Sequence, residues 1–218
     1  MYIYRLFILI SCVVTSLGLF NTAIITPAFS QAGASEKQDY ATVIMYHRFG
    51  ESRYPTTNVS IEQFESHLEF IAQGDYTVAP LIDIIETLQS GGVVKDKTVA
   101  ITVDDAYLSV YTQAWPRLKE YGFPFTIFVA TDPVDNNLRN YMSWDQIREL
   151  LENGVTIGSQ TKSHPHMHRL SPIKVEQELT LSNNRFLEEI GQYPQLFAYP
   201  YGEYSLDVIK AVKDAGFI

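Results

Sequence analysis

Short apolar, β-branched runs alternate along this chain with longer stretches in which apolar residues recur every three or four positions. The first pattern predicts strands and the second helices. Strands are expected over Ala41 to Tyr46 (ATVIMY), Tyr76 to Ala79, Thr98 to Val103, Phe125 to Ala130 (FTIFVA), Val155 to Ser159 and Leu196 to Tyr199. Ser60-Ile61-Glu62-Gln63 forms a capping box that opens a helix with Ile61, Phe64, Leu68 and Ile71 on one face. Ser143-Trp144-Asp145-Gln146 opens another, burying Ile147, Leu150 and Leu151 and stopping at Gly154. Further helices are expected over Leu81 to Gln89, over Tyr107 to Tyr121 with a bend at Pro116 and a stop at Gly122, from Ser171-Pro172 to about Ile190, and over Ser205 to Ala215.

Strands alternating with helices, several of them apolar throughout, predict an α/β fold: a parallel sheet covered by helices. A barrel and an open doubly wound sheet fit the pattern equally. In both, function gathers at the C-terminal ends of the strands. His47, Asp104 and Asp105, the segment from Gln160 onward, and Tyr199 to Gly202 all follow strands at that side. No Gly-rich phosphate loop follows any strand, which counts against a nucleotide-binding fold.

The pattern begins only after residue 40. In residues 1–32 Arg5 is the sole charged residue, apolar runs cover Leu6 to Phe20 and Ala23 to Phe29, and Ser30-Gln31-Ala32 is a small-x-small cleavage sequence. This reads as a signal peptide or an N-terminal membrane anchor, followed by a small, polar linker at 33–40 and a domain over 41–218. The expected location is therefore outside the cytoplasm of a bacterium: periplasmic, extracellular or anchored at the membrane surface of the cell envelope. Without Arg5 the formal charge moves from −9 to −10, and no basic cluster appears, so nucleic acid is not an expected partner. Cys12 is the only cysteine, which leaves His, Asp and Glu as the metal donors of the domain.

ITVDDAY, Ile101 to Tyr107, is the most informative stretch. Adjacent carboxylates repel unless a cation or a proton separates their roles, so a metal on one and proton transfer on the other would resolve the conflict. An acidic turn capping the next helix is the alternative reading. Three of the five histidines fall in His164-Pro165-His166-Met167-His168. His164 and His168 have the spacing to face one metal if the segment is helical, although Pro165 disfavours helix at His164. A donor set of Asp and His fits zinc or another first-row divalent ion better than calcium or magnesium. His67, at the edge of its helix stripe, reads as a surface histidine, and Trp144 as a packing residue. Tyr107 could line the groove or pack beneath it, and Tyr201 and Tyr204 are candidates for stacking on a sugar ring.

ITVDDAY, SQTKSHPHMHRLS and FAYPYGEYS, in this order and spacing, resemble the motifs of the polysaccharide deacetylases, the NodB-homology domain or carbohydrate esterase family four. The resemblance covers about Thr42 to the end. It implies a distorted (β/α) barrel, a divalent metal, usually zinc, and hydrolytic removal of acetyl groups from an N-acetylated glycan. It implies Asp104 as general base, Asp105 and His164 as metal ligands, and the backbone N–H of Tyr199 as an oxyanion donor, with Pro200 and Gly202 shaping the groove wall.

The chain departs from that family in three places. Gln160 stands where the family carries its third metal ligand, a histidine, and a neutral amide is a poor zinc ligand. His168, by proximity, His47, by its strand-end position, and His166 are the candidate replacements; the competing expectation is a catalytically impaired relative that still binds glycans. Ala198 stands where many relatives carry an Arg. The family's Leu-x-His, which supplies a general acid, would lie beyond Ile218, so either the sequence is a fragment of a longer protein or the expected barrel lacks the acid and its C-terminal segment.

Overall fold

Six residues in a row, all buried, put Thr98–Val103 in the middle of the sheet. The computed structural model describes residues 40–218, so the expected signal segment and all but the last residue of the linker lie outside the described residues. In chain order the elements are β1 (Thr42–Tyr46), β2 (Arg48–Phe49), β3 (Asn58–Val59), α1 (Ile61–Gln73), β4 (Thr77–Val78), α2 (Leu81–Gln89) and β5 (Thr98–Val103). They continue as α3 (Trp115–Tyr121), β6 (Thr126–Val129), α4 (Thr131–Asp135), α5 (Trp144–Glu152), β7 (Thr156–Ser159), α6 (Pro172–Ile190) and α7 (Leu206–Asp214).

The main sheet is parallel, in the order β1-β5-β6-β7, with β4 paired to the start of β5; β2 and β3 form a separate two-stranded piece. Register fixes what leaves the sheet together. Tyr46 lies opposite Val103, so His47 and Asp104 emerge side by side, and Val129 lies opposite Ser159, so Ala130 and Gln160 do the same. Both capping boxes form as expected, with Ser60 and Ser143 as N-caps. Phe64 and Leu68 of α1, Leu118 of α3 and Ile147 and Leu150 of α5 close over Ile101, Val103 and Ile127 to make the principal core. A second cluster joins α6 to α7 through Val175, Leu179, Val208 and Val212.

The structure corrects three details. Leu196 to Tyr199 is not a strand: a single parallel bridge joins Phe197 to Ser159, and the chain then turns into a 3-10 segment, Pro200–Gly202. Pro200 has no N–H to continue a ladder. The helix expected from Tyr107 is a π-helix over Val110–Ala114 that passes into α3, where Pro116 occupies the first turn. The strand at Tyr76 to Ala79 shortens to β4. Among the described strands β1 pairs only with β5, and its Val43 and Met45 are 49% and 59% exposed beside the cavity described below.

Gly158 of β7 marks the closest approach in this sheet. A Cβ there would lie 2.4 Å from Cδ1 of the buried Phe128 and 3.2 Å from the Leu196 carbonyl. Gly158→Ala is expected to lower stability by about 1–3 kcal/mol, the usual range for overpacking. An unchanged urea midpoint would show that Phe128 can swing aside.

Candidate active site

Asp104 still belongs to the sheet, its N–H donating to the Tyr46 carbonyl at 2.8 Å. At Asp105 and Ala106 the backbone turns left-handed, with φ of 72° and 52°. That reversal separates the two carboxylates. It is held from the neighbouring loop: the Asp105 N–H donates to Gln160 Oε1 at 3.2 Å. Gln160 is itself fixed by its N–H to the Val129 carbonyl, 2.9 Å, and is 2% exposed.

The loop that follows is built around Glu178 of α6. Its carboxylate accepts the N–H groups of Lys162 and Ser163 at 3.1 and 2.8 Å and the Ser163 hydroxyl at 2.7 Å. Lys162 Nζ reaches Asp132 of α4 at 2.6 Å, and the His164 N–H donates to Thr161 Oγ1 at 3.0 Å. With Thr161 and His164 also left-handed, φ 72° and 56°, the loop delivers His164 Nε2 to 3.4 Å from Asp105 Oδ1. His47 Nε2 comes to 4.0 Å from Asp104 Oδ2. Among the described residues, five of the eight non-glycine residues with positive φ lie here: Asp105, Ala106, Thr161, His164 and Tyr201. Each such residue costs about 1–3 kcal/mol, a strain that persists only where the surroundings enforce it.

These groups open on a cavity of about 940 Å³ lined by His47, Asp104, Asp105, Gln160, His164 and the aromatic wall of Tyr199, Tyr201 and Tyr204. Burial and the adjacent Asp105 charge push the Asp104 carboxyl up to about 7. Burial lowers the basicity of His47 and His164, against the opposing pull of Asp105. The two carboxylates of the acidic pair therefore sit in different electrostatic settings, Asp104 buried and Asp105 beside the His164 ring.

A divalent metal fits this donor set in part. Ligand bonds of about 2.0–2.1 Å to a tetrahedral zinc place two ligand atoms roughly 3.3 Å apart, which matches Asp105 Oδ1 and His164 Nε2. Among the described residues no three His, Cys, Asp or Glu side chains gather closely enough to hold an ion. Gln160, at the position where the resemblance leads one to expect a ligand, has its Oε1 turned to the Asp105 N–H.

The other expected donors lie elsewhere. His166 and His168 both turn to Glu203, Nδ1 to Oε2 at 2.6 and 3.3 Å. The segment is not a helix: His164 is left-handed and only Met167–Arg169 forms a 3-10 turn, so His164 and His168 do not share a face. Tyr107 is buried and lines the cavity, its ring under the Arg48 guanidinium at 3.3 Å and against Tyr141 at 4.8 Å. Trp144 packs edge-on to Phe186 and donates its indole N–H to Asp135 at 2.7 Å. His67 is exposed, its Nδ1 at 3.0 Å from the Tyr46 hydroxyl. Arg48, Glu178 and Glu203 are supporting residues that sequence reasoning missed, because each reaches a partner in another segment: Arg48 the Tyr107 ring, Glu178 the loop at Lys162 and Ser163, and Glu203 the rings of His166 and His168.

The sequence profile described as polysaccharide deacetylase matches residues 91–218. A protein of Bacillus subtilis (strain 168), YxkH, provisionally described as a polysaccharide deacetylase, is 26% identical over 84% of this chain. The chain spans 64% of that relative's length. The poly-β-1,6-N-acetyl-D-glucosamine N-deacetylase of Staphylococcus aureus (strain MRSA252) is 25% identical over 83% of the chain and 71% of the relative. Among solved structures, IcaB from Ammonifex degensii aligns with a TM-score of 0.73 at 25% identity, covering 83% of this chain and 82% of that one. The Streptococcus pyogenes deacetylase PplD, in complex with acetate, aligns with a TM-score of 0.75 at 21% identity, covering 81% and 80%; at that identity the likeness is one of fold.

Proposed function

Because the chain belongs to the polysaccharide deacetylase family, we propose that it removes acetyl groups from the amino sugars of an N-acetylated glycan, outside the cytoplasm, with residues 1–32 as its export signal or anchor. The observation that carries this reading is the junction of Asp104, Asp105 and His164 at one end of a cavity walled by tyrosines. Asp105 and His164 are the residues that would hold a divalent ion, zinc by donor chemistry. When bound, such an ion polarises an acetyl carbonyl and lowers the pKa of water.

In the proposed reaction Asp104 takes a proton from water as the water oxygen attacks the acetyl carbon. The Tyr199 N–H donates to the acetyl oxygen as it gains charge. The C–N bond then breaks, the proton passes to the leaving nitrogen, and acetate and a free amine remain. Tyr107, Tyr201 and Tyr204 form the walls that hold the sugar ring; Pro200, expected to shape the groove wall, is buried and outside the cavity lining. The direct test is release of acetate from N-acetylglucosamine oligomers by the zinc-supplemented full chain.

Asp105→Ala is expected to remove the zinc binding that the parent shows, while leaving the fold intact, with affinity read by zinc titration against a chelator. Equal loss in Asp104→Asn would show that the two carboxylates share the ligand role.

Gln160 favours a second reading, a domain that binds glycan in the same groove without turning it over. Glycan binding with no acetate release at saturating zinc is its signature.

A further inference from the structure

The deacetylation chemistry leaves one side-chain cluster unused. Glu203 Oε2 receives both His166 Nδ1, at 2.6 Å, and His168 Nδ1, at 3.3 Å. Arg169 Nε donates to His168 Nε2 at 3.2 Å, which leaves the His168 proton on Nδ1, facing the carboxylate. Glu203 is therefore tied down from two sides. The His166 ring in turn stacks on Tyr201, with centroids 4.1 Å apart and planes 18° from parallel. Tyr201 meets His164 edge-on, centroids 4.6 Å apart.

Tyr201 needs such support. Its backbone is left-handed, φ 61° and ψ 9°, a conformation that costs a non-glycine residue about 1–2 kcal/mol. It is also 58% exposed, so burial does little to fix its ring. A wall residue that flexes in the free protein loses freedom on binding, and that loss subtracts from affinity; a ring already stacked in place avoids it.

We propose that His166, anchored by Glu203, is a positioning residue that keeps Tyr201 upright as a wall of the glycan groove. Tyr201 touches the sugar; His166 lies outside the cavity lining and acts through Tyr201. The inference rests on the glycan reading above.

The test is calorimetric titration of a β-1,6-linked N-acetylglucosamine oligomer into the full chain carrying Asp104→Asn, so that nothing is turned over. His166→Ala is expected to weaken binding about fivefold, the worth of one aromatic pair, and His166→Phe, which keeps the stacked ring, to recover to within about twofold of the parent. Adding His166→Ala to Tyr201→Ala should bring no further loss, since the brace then has nothing to hold. The side chain of His166 is 41% exposed, so the melting temperature should stay put and serves as the folding control. Unchanged affinity in His166→Ala, or losses that simply add in the double variant, overturns the proposal while leaving the glycan reading intact. A parent that binds no oligomer overturns the glycan reading, and the positioning role with it.

Discussion

Gln160→His is expected to tighten zinc binding by roughly a hundredfold or more, the scale on which metal sites respond to changes in their coordinating environment. Asp105 and His164 already stand at the separation of two ligands on one ion. What the site lacks is a third donor, and position 160, at the end of β7 with its side chain on the Asp105 N–H, is where one would complete it. The substitution also has a cost. It gives up the hydrogen bond that pins the Asp105 turn, about 1 kcal/mol in a buried setting. The metal-free variant should therefore melt below the parent, and the order should reverse once zinc exceeds the variant's dissociation constant, because a ligand bound only by the native state raises stability with its concentration. Competition with a chromophoric chelator, beside melts with and without zinc, reads both effects. Stoichiometric tight binding by the unmodified chain would mean that a further donor closes the site, with His47 the nearest imidazole on the opposite strand. If neither form binds, position 160 is not beside the ion.

The strands were legible because β5, β6 and β7 are buried on both faces, and burial leaves a run of apolar, β-branched residues that little else produces. The capping boxes at Ser60 and Ser143 were legible because each is a local exchange of hydrogen bonds written in four residues. Leu196 to Tyr199 has the composition of a strand but pairs with β7 through one bridge, at Ser159, and the extent of pairing is a property of two segments. The same distinction runs through the site. Asp104, Asp105 and His164 could be placed by their strand ends and by resemblance. The turn at Asp105 depends on Gln160, fifty-five positions away, and the His164 loop depends on Glu178 in α6. His166 and His168 were drawn toward the metal by their proximity in sequence, but the left-handed backbone at His164 sends them to Glu203 instead. Arg48, one of the few buried charged residues, has two partners close in sequence, Glu51 and the Tyr54 ring, but what buries it at the site is the Tyr107 ring, fifty-nine positions on.

Asp104→Asn is expected to lower the deacetylation rate by about 10²–10⁴-fold, the usual contribution of a general base, while zinc content stays near that of the parent. The same substitution should stabilise the metal-free protein at neutral pH. Burial and Asp105 hold the Asp104 carboxyl up to about 7, whereas in the unfolded chain it titrates near 3.8. Between those values the native state keeps a proton that the unfolded state has released, so stability falls as pH rises from about 4 to about 7 and levels off above that. Asparagine removes the titration. The variant's stability should lack this decline, and its advantage over the parent should grow across that window to a few kcal/mol at most, read from urea unfolding at a series of pH values in the presence of chelator. The two measurements separate two roles. A rate loss with the stability gain places Asp104 as a base kept poised at the expense of the fold. A stability gain with no loss of rate would move the base elsewhere, and parallel pH profiles of parent and variant would mean that Asp104 is ionised in the native state through the acid range.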